Sequence, residues 1–248
     1  MSVDLWRVTL LGLFTGVVGT GLGGYIIAVL GRPEKRILSF VLGFSGGVML
    51  AIIFVDLIPE GMEIGGITST FIGLLLGVAL LILLDFILPH THVSGEQEQR
   101  NHFVRLSILL GLGIAMHNLP EGMAIGAGYA VSDLTGWRLA VIMLIQNIPE
   151  GMAMAGPMAA AGVGCLKCVG ITAAAGIPMG MGAWLGAVIG NVSPLALAIS
   201  LGFAAGAMLY IVFDELIPEA QEQAEGHSGT FGAVVGVLIG IAILFFLG

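Results

Sequence analysis

Basic side chains are scarce in this chain. Eight Lys and Arg stand against sixteen Asp and Glu in 248 residues, for a net charge of −8. A nucleic-acid surface needs clustered cations, so no nucleic-acid partner is expected. Cysteine is scarce too: Cys165 and Cys168 are too few for a disulfide framework. Polar stretches long enough for a separate soluble domain are missing. The longest polar connection, His90 to Arg105, is charged and reads as a loop free to move in solvent. The first 24 residues lack a short apolar core followed by a cleavage site, so they read as a first membrane helix and not as a signal peptide.

What is present is apolar. Hydrophobic residues make up 57% of the chain, charged residues 10%, and the mean hydropathy is +1.06. This is the composition of an all-α polytopic membrane protein. Forty glycines suit helices that approach closely in lipid. Hydropathy predicts eight transmembrane helices: Leu5 to Leu30, Phe40 to Glu60, Phe71 to Leu88, Leu106 to Tyr129, Leu139 to Ala160, Cys168 to Ile189, Leu195 to Pro218 and Phe231 to Leu247. The chain is expected to be one transmembrane domain over 1–248. It divides into helices one to three (1–89), a loop (90–105), helices four and five (106–160) and helices six to eight (161–248). With eight crossings, Arg32, Lys35, Arg36, Arg100, Arg105 and Lys167 face one side and only Arg7 and Arg138 the other. The excess of basic residues predicts a cytoplasmic 90–105 loop and both termini extracytoplasmic.

The acidic residues are placed differently. Asp56, Glu60, Asp85, Glu121, Glu150, Asp214, Glu215 and Glu219 lie within or at the ends of predicted spans, and no Lys or Arg lies in a span interior to pair with them. A buried carboxylate without a basic partner must take up a proton, water or a cation. Several together predict a cation path. Glu60 and Glu219, at span ends, are equally consistent with headgroup water.

The sharpest signal is Met116-His117-Asn118-Leu119-Pro120-Glu121-Gly122-Met123-Ala124, repeated as Ile145-Gln146-Asn147-Ile148-Pro149-Glu150-Gly151-Met152-Ala153. On a helix, residues four apart share a face and residues three apart share the neighbouring one. His117 therefore points with Glu121, and Gln146 with Glu150; Asn118 and Asn147 join the same glutamates in an adjacent cluster. Pro120 and Pro149 cannot donate to the carbonyls of Met116 and Ile145. Two kinked helices, each with a freed carbonyl and a carboxylate, predict an oxygen-rich pocket if they face each other. Polar groups at that depth are costly and are read as functional.

A second repeat relates Phe44 to Glu60 with Phe203 to Glu219, both ending Leu-Ile-Pro-Glu. These segments lie on helices two and seven, which cross in opposite directions. The pattern predicts a 3+2+3 arrangement, with helices 1–3 and 6–8 as an inverted repeat around helices 4 and 5.

His-Asn-Leu-Pro-Glu-Gly at 117–122 with Gln-Asn-Ile-Pro-Glu-Gly at 146–151 resembles the paired helix-four and helix-five motifs of the ZIP (Zrt-, Irt-like protein) family of divalent metal transporters. The resemblance extends over essentially the whole chain. It implies uptake of Zn²⁺ toward the cytoplasm, with Fe²⁺, Mn²⁺, Co²⁺ and Cd²⁺ as further substrates, no organic cofactor, and no enzymatic activity. It further implies an integral protein of a prokaryotic plasma (inner) membrane, whose partners are the metal ion and the lipid bilayer, with a homodimer as one permitted assembly. Carried over by position, one metal site would use His117, Glu121, Gln146 and Glu150, and a neighbouring one Asn118, Asn147 and the two bridging glutamates. Many relatives place a further glutamate on helix six. Here Gly176-Ile-Pro-Met-Gly180 puts Pro178 or Met179 there, which implies a weaker second site. Asp56, Glu60, Asp214, Glu215 and Glu219 are candidates for that site or for the pathway.

The donor set agrees: one imidazole, two carboxylates and amide oxygens suit Zn²⁺, Fe²⁺, Mn²⁺ or Co²⁺. Two carboxylates also balance one divalent charge. Weaker candidates are His90, His92 and His102 for metal handling in the loop, against the plainer reading of solvated histidines. Cys165-Leu-Lys-Cys168 supplies only two thiolates, too few for a structural zinc site. An intramembrane metalloprotease would need His-Glu-x-x-His or an equivalent, and each motif has at most one histidine. A proton or alkali-cation transporter could use the same carboxylates, but the imidazole of His117 favours a transition metal.

Overall fold

The structure, a computed structural model, describes residues 4–87, 96–189, 193–224 and 226–247. His90 and His92 lie outside the described residues. Among these residues every regular element is a helix: α1 (Leu5–Leu30), α2 (Lys35–Ile52), α3 (Ile58–Ile87), α4 (Glu96–Val131), α5 (Asp133–Ala160), α6 (Cys165–Ala175), α7 (Ile177–Ile189), α8 (Pro194–Tyr210), α9 (Ile217–Gln223) and α10 (Ser228–Leu247). Seven stretches are long and apolar enough to cross a bilayer, beginning with Leu5–Leu30 and Lys35–Ile87. Side-chain oxygens cap the starts that follow polar connections. Asp4 accepts from the amide of Arg7, Ser132 from that of Thr135, and Ser193 from that of Ala196.

Lys35–Ile87 is 53 residues long, about twice what a bilayer of about 30 Å needs at about 1.5 Å per residue. It is interrupted at Gly66, where φ is 83° and ψ 164°. A Cβ there would meet nothing within 4 Å, so glycine is required by the backbone conformation and not by space.

Two π-helical turns occupy matching places in the Phe44–Glu60 and Phe203–Glu219 repeat. Ile53–Leu57 joins α2 to α3, and Ile211–Leu216 joins α8 to α9. Ile58 donates to the carbonyl of Ile53, and Ile217 to that of Val212. Pro59 and Pro218 follow immediately. Each lacks the N–H that would bond four residues back, and the wider turn accommodates the missing bond.

Four helix pairs pack closely: α3 with α8, α2 with α10, α4 with α7, and α1 with α5. Each is a reciprocal glycine contact. A Cβ on Gly73 would fall 2.0 Å from the carbonyl of Ile199, and one on Gly202 2.1 Å from that of Thr70. Gly122 and Gly182 face the carbonyls of Met179 and Leu119 in the same way, at 2.1 and 2.0 Å. With no hydrophobic effect between helices in lipid, such backbone contact supplies the packing energy.

The structure corrects two expectations. Residues 96–105, expected in the connecting loop, are the first three turns of α4. Polar contacts support them: Gln97 Nε2 donates to Asn101 Oδ1 at 3.0 Å, and His102 Nε2 lies 2.6 Å from Glu219 Oε2. Nor are all the span acids without a cation. Arg105, one residue before the predicted start of helix four, forms an ion pair with Asp85 and stands 3.9 Å from Glu215. Its long side chain reaches carboxylates that its own position in the sequence does not adjoin.

Candidate metal centre

α4 and α5 run through Pro120 and Pro149 as unbroken helices. They bring the two motifs together at the centre of the bundle. His117, Asn118, Glu121, Gln146, Asn147 and Glu150 are all buried, none more than 2% exposed. His117, Glu121 and Glu150 each offer a ligand atom, and these atoms lie within 4.8 Å of one another. His117 Nε2 is 3.1 Å from Glu150 Oε2.

The two asparagines are turned by backbone carbonyls on other helices. Asn118 Nδ2 donates to Ala175 O at 2.9 Å. That carbonyl sits at the break between α6 and α7, where the Met179 amide bonds Gly176 O at 3.2 Å in place of the residue four back. Pro178, lacking an N–H, belongs to the same interruption. Asn147 Nδ2 donates to Thr15 O of α1 at 3.4 Å and to the Met179 sulfur at 3.5 Å. Close helix approach makes this reach possible: a Cβ on Gly19 would lie 2.5 Å from the Cβ of Asn147. Ser45 on α2 holds α5 through the carbonyl of Pro149 at 2.7 Å.

With their amide nitrogens so engaged, Asn118 and Asn147 leave Oδ1 without a hydrogen-bond partner. Both Glu121 oxygens, Glu150 Oε1 and Gln146 Nε2 are likewise buried and unpartnered. Each such group costs about 1–3 kcal/mol, more if charged, so leaving this many together is tolerable only if something else satisfies them. The chemical character is that of a cation site: one imidazole nitrogen, carboxylate oxygens and amide oxygens, with a nominal charge that offsets a divalent ion.

Met179 is fully buried and joins this site through Asn147. The other candidates do not join it. Glu60 lines a cavity of about 250 Å³ with Met123, Ala124, Ala127 and Leu139, directly beyond Glu121 along α4. Asp85, Asp214 and Glu215 form a separate carboxylate group beside Arg105. Glu219 pairs with His102 and also accepts from the Gln223 amide. Asp56 lies in the first π-helical turn, half-buried. Sequence reasoning missed Arg105, and missed the carbonyls of Ala175 and Thr15 as orienting groups. The Gly176–Pro178 interruption was the available hint for Ala175.

Taken together these features define an integral membrane protein of helical type with a buried cluster of cation-ligating groups at its centre. The sequence pattern of the family described as ZIP Zinc transporter matches residues 89–248. The chain is 37% identical over 251 residues to zinc transporter ZIPB of Bordetella bronchiseptica, covering 96% of this chain and 79% of that protein. It is 33% identical over 256 residues to zinc transporter ZupT of Salmonella newport, covering 96% and 95%. The chain belongs to the ZIP family of zinc transporters, a family of transporters and not of enzymes.

Proposed function

We propose that the chain carries Zn²⁺ into the cytoplasm across a prokaryotic plasma membrane, through the site between α4 and α5. The observation that carries the reading is the buried cluster of His117, Glu121 and Glu150, whose ligand atoms lie within 4.8 Å and whose carboxylates lack other partners. Fe²⁺, Mn²⁺, Co²⁺ and Cd²⁺ fit the same donor set. Asn118 and Asn147, with Met179 beside them, are the natural second site, weaker for want of a third carboxylate. Asp56 and Glu60 on one side, and Asp214, Glu215 and Glu219 on the other, then line the approach and the departure.

Eight crossings in a 3+2+3 arrangement suit this reading. The break at Gly66 supports counting Lys35–Ile87 as two passes. The inverted repeat is supported by its equivalent contacts. Exchanging helices one to three with six to eight, and four with five, turns the α2–α10 pair into α8–α3 and the α1–α5 pair into α7–α4. The matched π-helical turns obey the same exchange. The six-to-two distribution of basic residues supports extracytoplasmic termini.

The test is Zn²⁺ flux in proteoliposomes. Glu121→Gln and Glu150→Gln keep size and a hydrogen-bonding oxygen but remove a charge from a buried ion's shell, a loss of about 3–5 kcal/mol. Flux should fall by orders of magnitude. Asn118→Ala and Asn147→Ala remove neutral contacts worth about 0.5–1.5 kcal/mol each and should cost less. Near-normal flux in both glutamine variants, with the protein folded and inserted, would move the site off this pair of helices.

A further inference from the structure

The motif that the metal centre does not use is Cys165-Leu166-Lys167-Cys168. It forms the first turn of α6, behind Gly164 as N-cap. Cys165 is exposed and Cys168 buried. Residues three apart on a helix share a face, with Cβ atoms about 5–6 Å apart. A disulfide needs about 3.5–4.5 Å, so a slight tightening of one terminal turn would bridge them. The turn is already drawn tight: the Lys167 and Cys168 amides both donate to Gly164 O at 3.0 Å, the former in the narrower i to i+3 pattern.

Both cysteines line a cavity of about 230 Å³ together with Ala28, Gly31, Arg32 and Gly162. The Arg32 guanidinium lies against Gly162, three residues before Cys165: Gly162 has φ +80°, and a Cβ on it would fall 2.6 Å from Arg32 Nη2. A cation in the cavity wall opposes binding of a second, metallic cation. Two thiolates leave a tetrahedral zinc half-filled, and among the described residues no cluster of three metal-ligating groups includes these sulfurs. Arginine beside two thiols instead suits a ligand that carries both a carboxylate and a sulfur.

The unequal burial gives the thiols different parts. Cys165 meets solvent. The Cys168 sulfur sits 3.5 Å from Val163 O and packs among Ile114, Met154, Met158 and Ala175. It can be reached by a sulfur already attached to Cys165 but not by a free molecule. An outer thiol that attacks and an inner thiol that resolves is the division that thiol–disulfide exchange requires.

We propose that Cys165 and Cys168 form a thiol–disulfide site that exchanges with low-molecular-weight disulfides of the glutathione class, held by Arg32. The Cys165 thiolate attacks one sulfur of glutathione disulfide; that S–S bond breaks, a glutathione thiolate leaves, and a mixed disulfide forms on Cys165. The Cys168 thiolate then attacks Cys165 Sγ and expels the second glutathione thiolate. The protein loses two electrons and two protons, and the glutathione disulfide gains them as two thiols. The inner sulfur lies in the apolar cluster that includes Ile114 and Met154, which are three residues from His117 and four from Glu150 on their helices, so closing the bridge acts on the packing beside the proposed centre.

The full-length protein in detergent micelles is treated with excess glutathione disulfide, then alkylated and weighed intact. The wild type should lose both free thiols and carry no glutathionyl group. Cys168→Ser should retain one glutathionyl group on Cys165. Cys165→Ser should leave Cys168 unmodified until the protein is denatured, and Arg32→Gln should slow wild-type closure several-fold. Wild-type protein that keeps both thiols, or that holds a lasting glutathionyl adduct, overturns the proposal. So does protection of both thiols by Zn²⁺ alone, which would make the pair a metal site.

Discussion

At the proposed metal centre, His117, Glu121 and Glu150 crowd three titratable groups into a space that only a shared cation or shared protons can make neutral. Protons and metal compete for the same lone pairs. The sign follows: as pH falls, protonation of the imidazole and carboxylates removes ligands, so metal affinity should weaken. Titration of Zn²⁺ binding at successively lower pH checks this, and tighter binding in acid would contradict it. Met179 carries the second expectation at this scale. It stands against Asn147 with a thioether where a third carboxylate would complete a second site. The wild type should hold one tight ion and at most one weak one, and Met179→Glu should strengthen the weak one. Calorimetry that found two equally tight ions in the wild type would refute this.

At the scale of elements, reciprocal glycines set how near the helices come, and that nearness lets a backbone carbonyl on α1 or α6 orient an asparagine on α5 or α4. Gly73→Val would drive a side chain into the carbonyl of Ile199, already 2.0 Å from an ideal Cβ. Overpacking costs about 1–3 kcal/mol, and here the obstacle is backbone, which cannot rotate away. Gly170, on the exposed side of α6, meets nothing within 4 Å. Gly170→Ala should leave stability unchanged or raise it by up to about 1 kcal/mol. Thermal unfolding in detergent separates the two, and an unshifted midpoint for Gly73→Val would count against the packing account.

For the whole molecule, orientation rests on a handful of charges. The proposed topology puts Ser94 in the cytoplasm. Ser94→Cys should react with an impermeant maleimide only after the membrane is opened, in a Cys165→Ser/Cys168→Ser background. Labelling in sealed cells would reverse the orientation and with it the direction assigned to transport. The same topology places His102, Arg105 and the Cys165–Cys168 turn toward one face, and the Glu60 cavity toward the other.

Much of this protein was legible in the linear chain, because the deciding signals are local. Apolar runs marked the membrane helices, since a bilayer demands about twenty such residues whatever surrounds them. Spacings of three and four around Pro120 and Pro149 put His117 with Glu121, and Gln146 with Glu150, on one helix face, because helical geometry is set within a single turn. The same residues carry the resemblance to the ZIP family, to which the chain belongs. Tertiary structure alone decided what depends on partners distant in sequence. Arg105 pairs with Asp85, twenty residues away in the sequence. Ala175 O and Thr15 O hold the amide nitrogens of the two asparagines and leave their oxygens unpartnered. The pairing of Glu219 with His102, and the extension of α4 back to Glu96 that permits it, belong to the same class. A hydrogen bond or ion pair needs two groups in register, and only the packed bundle specifies that register.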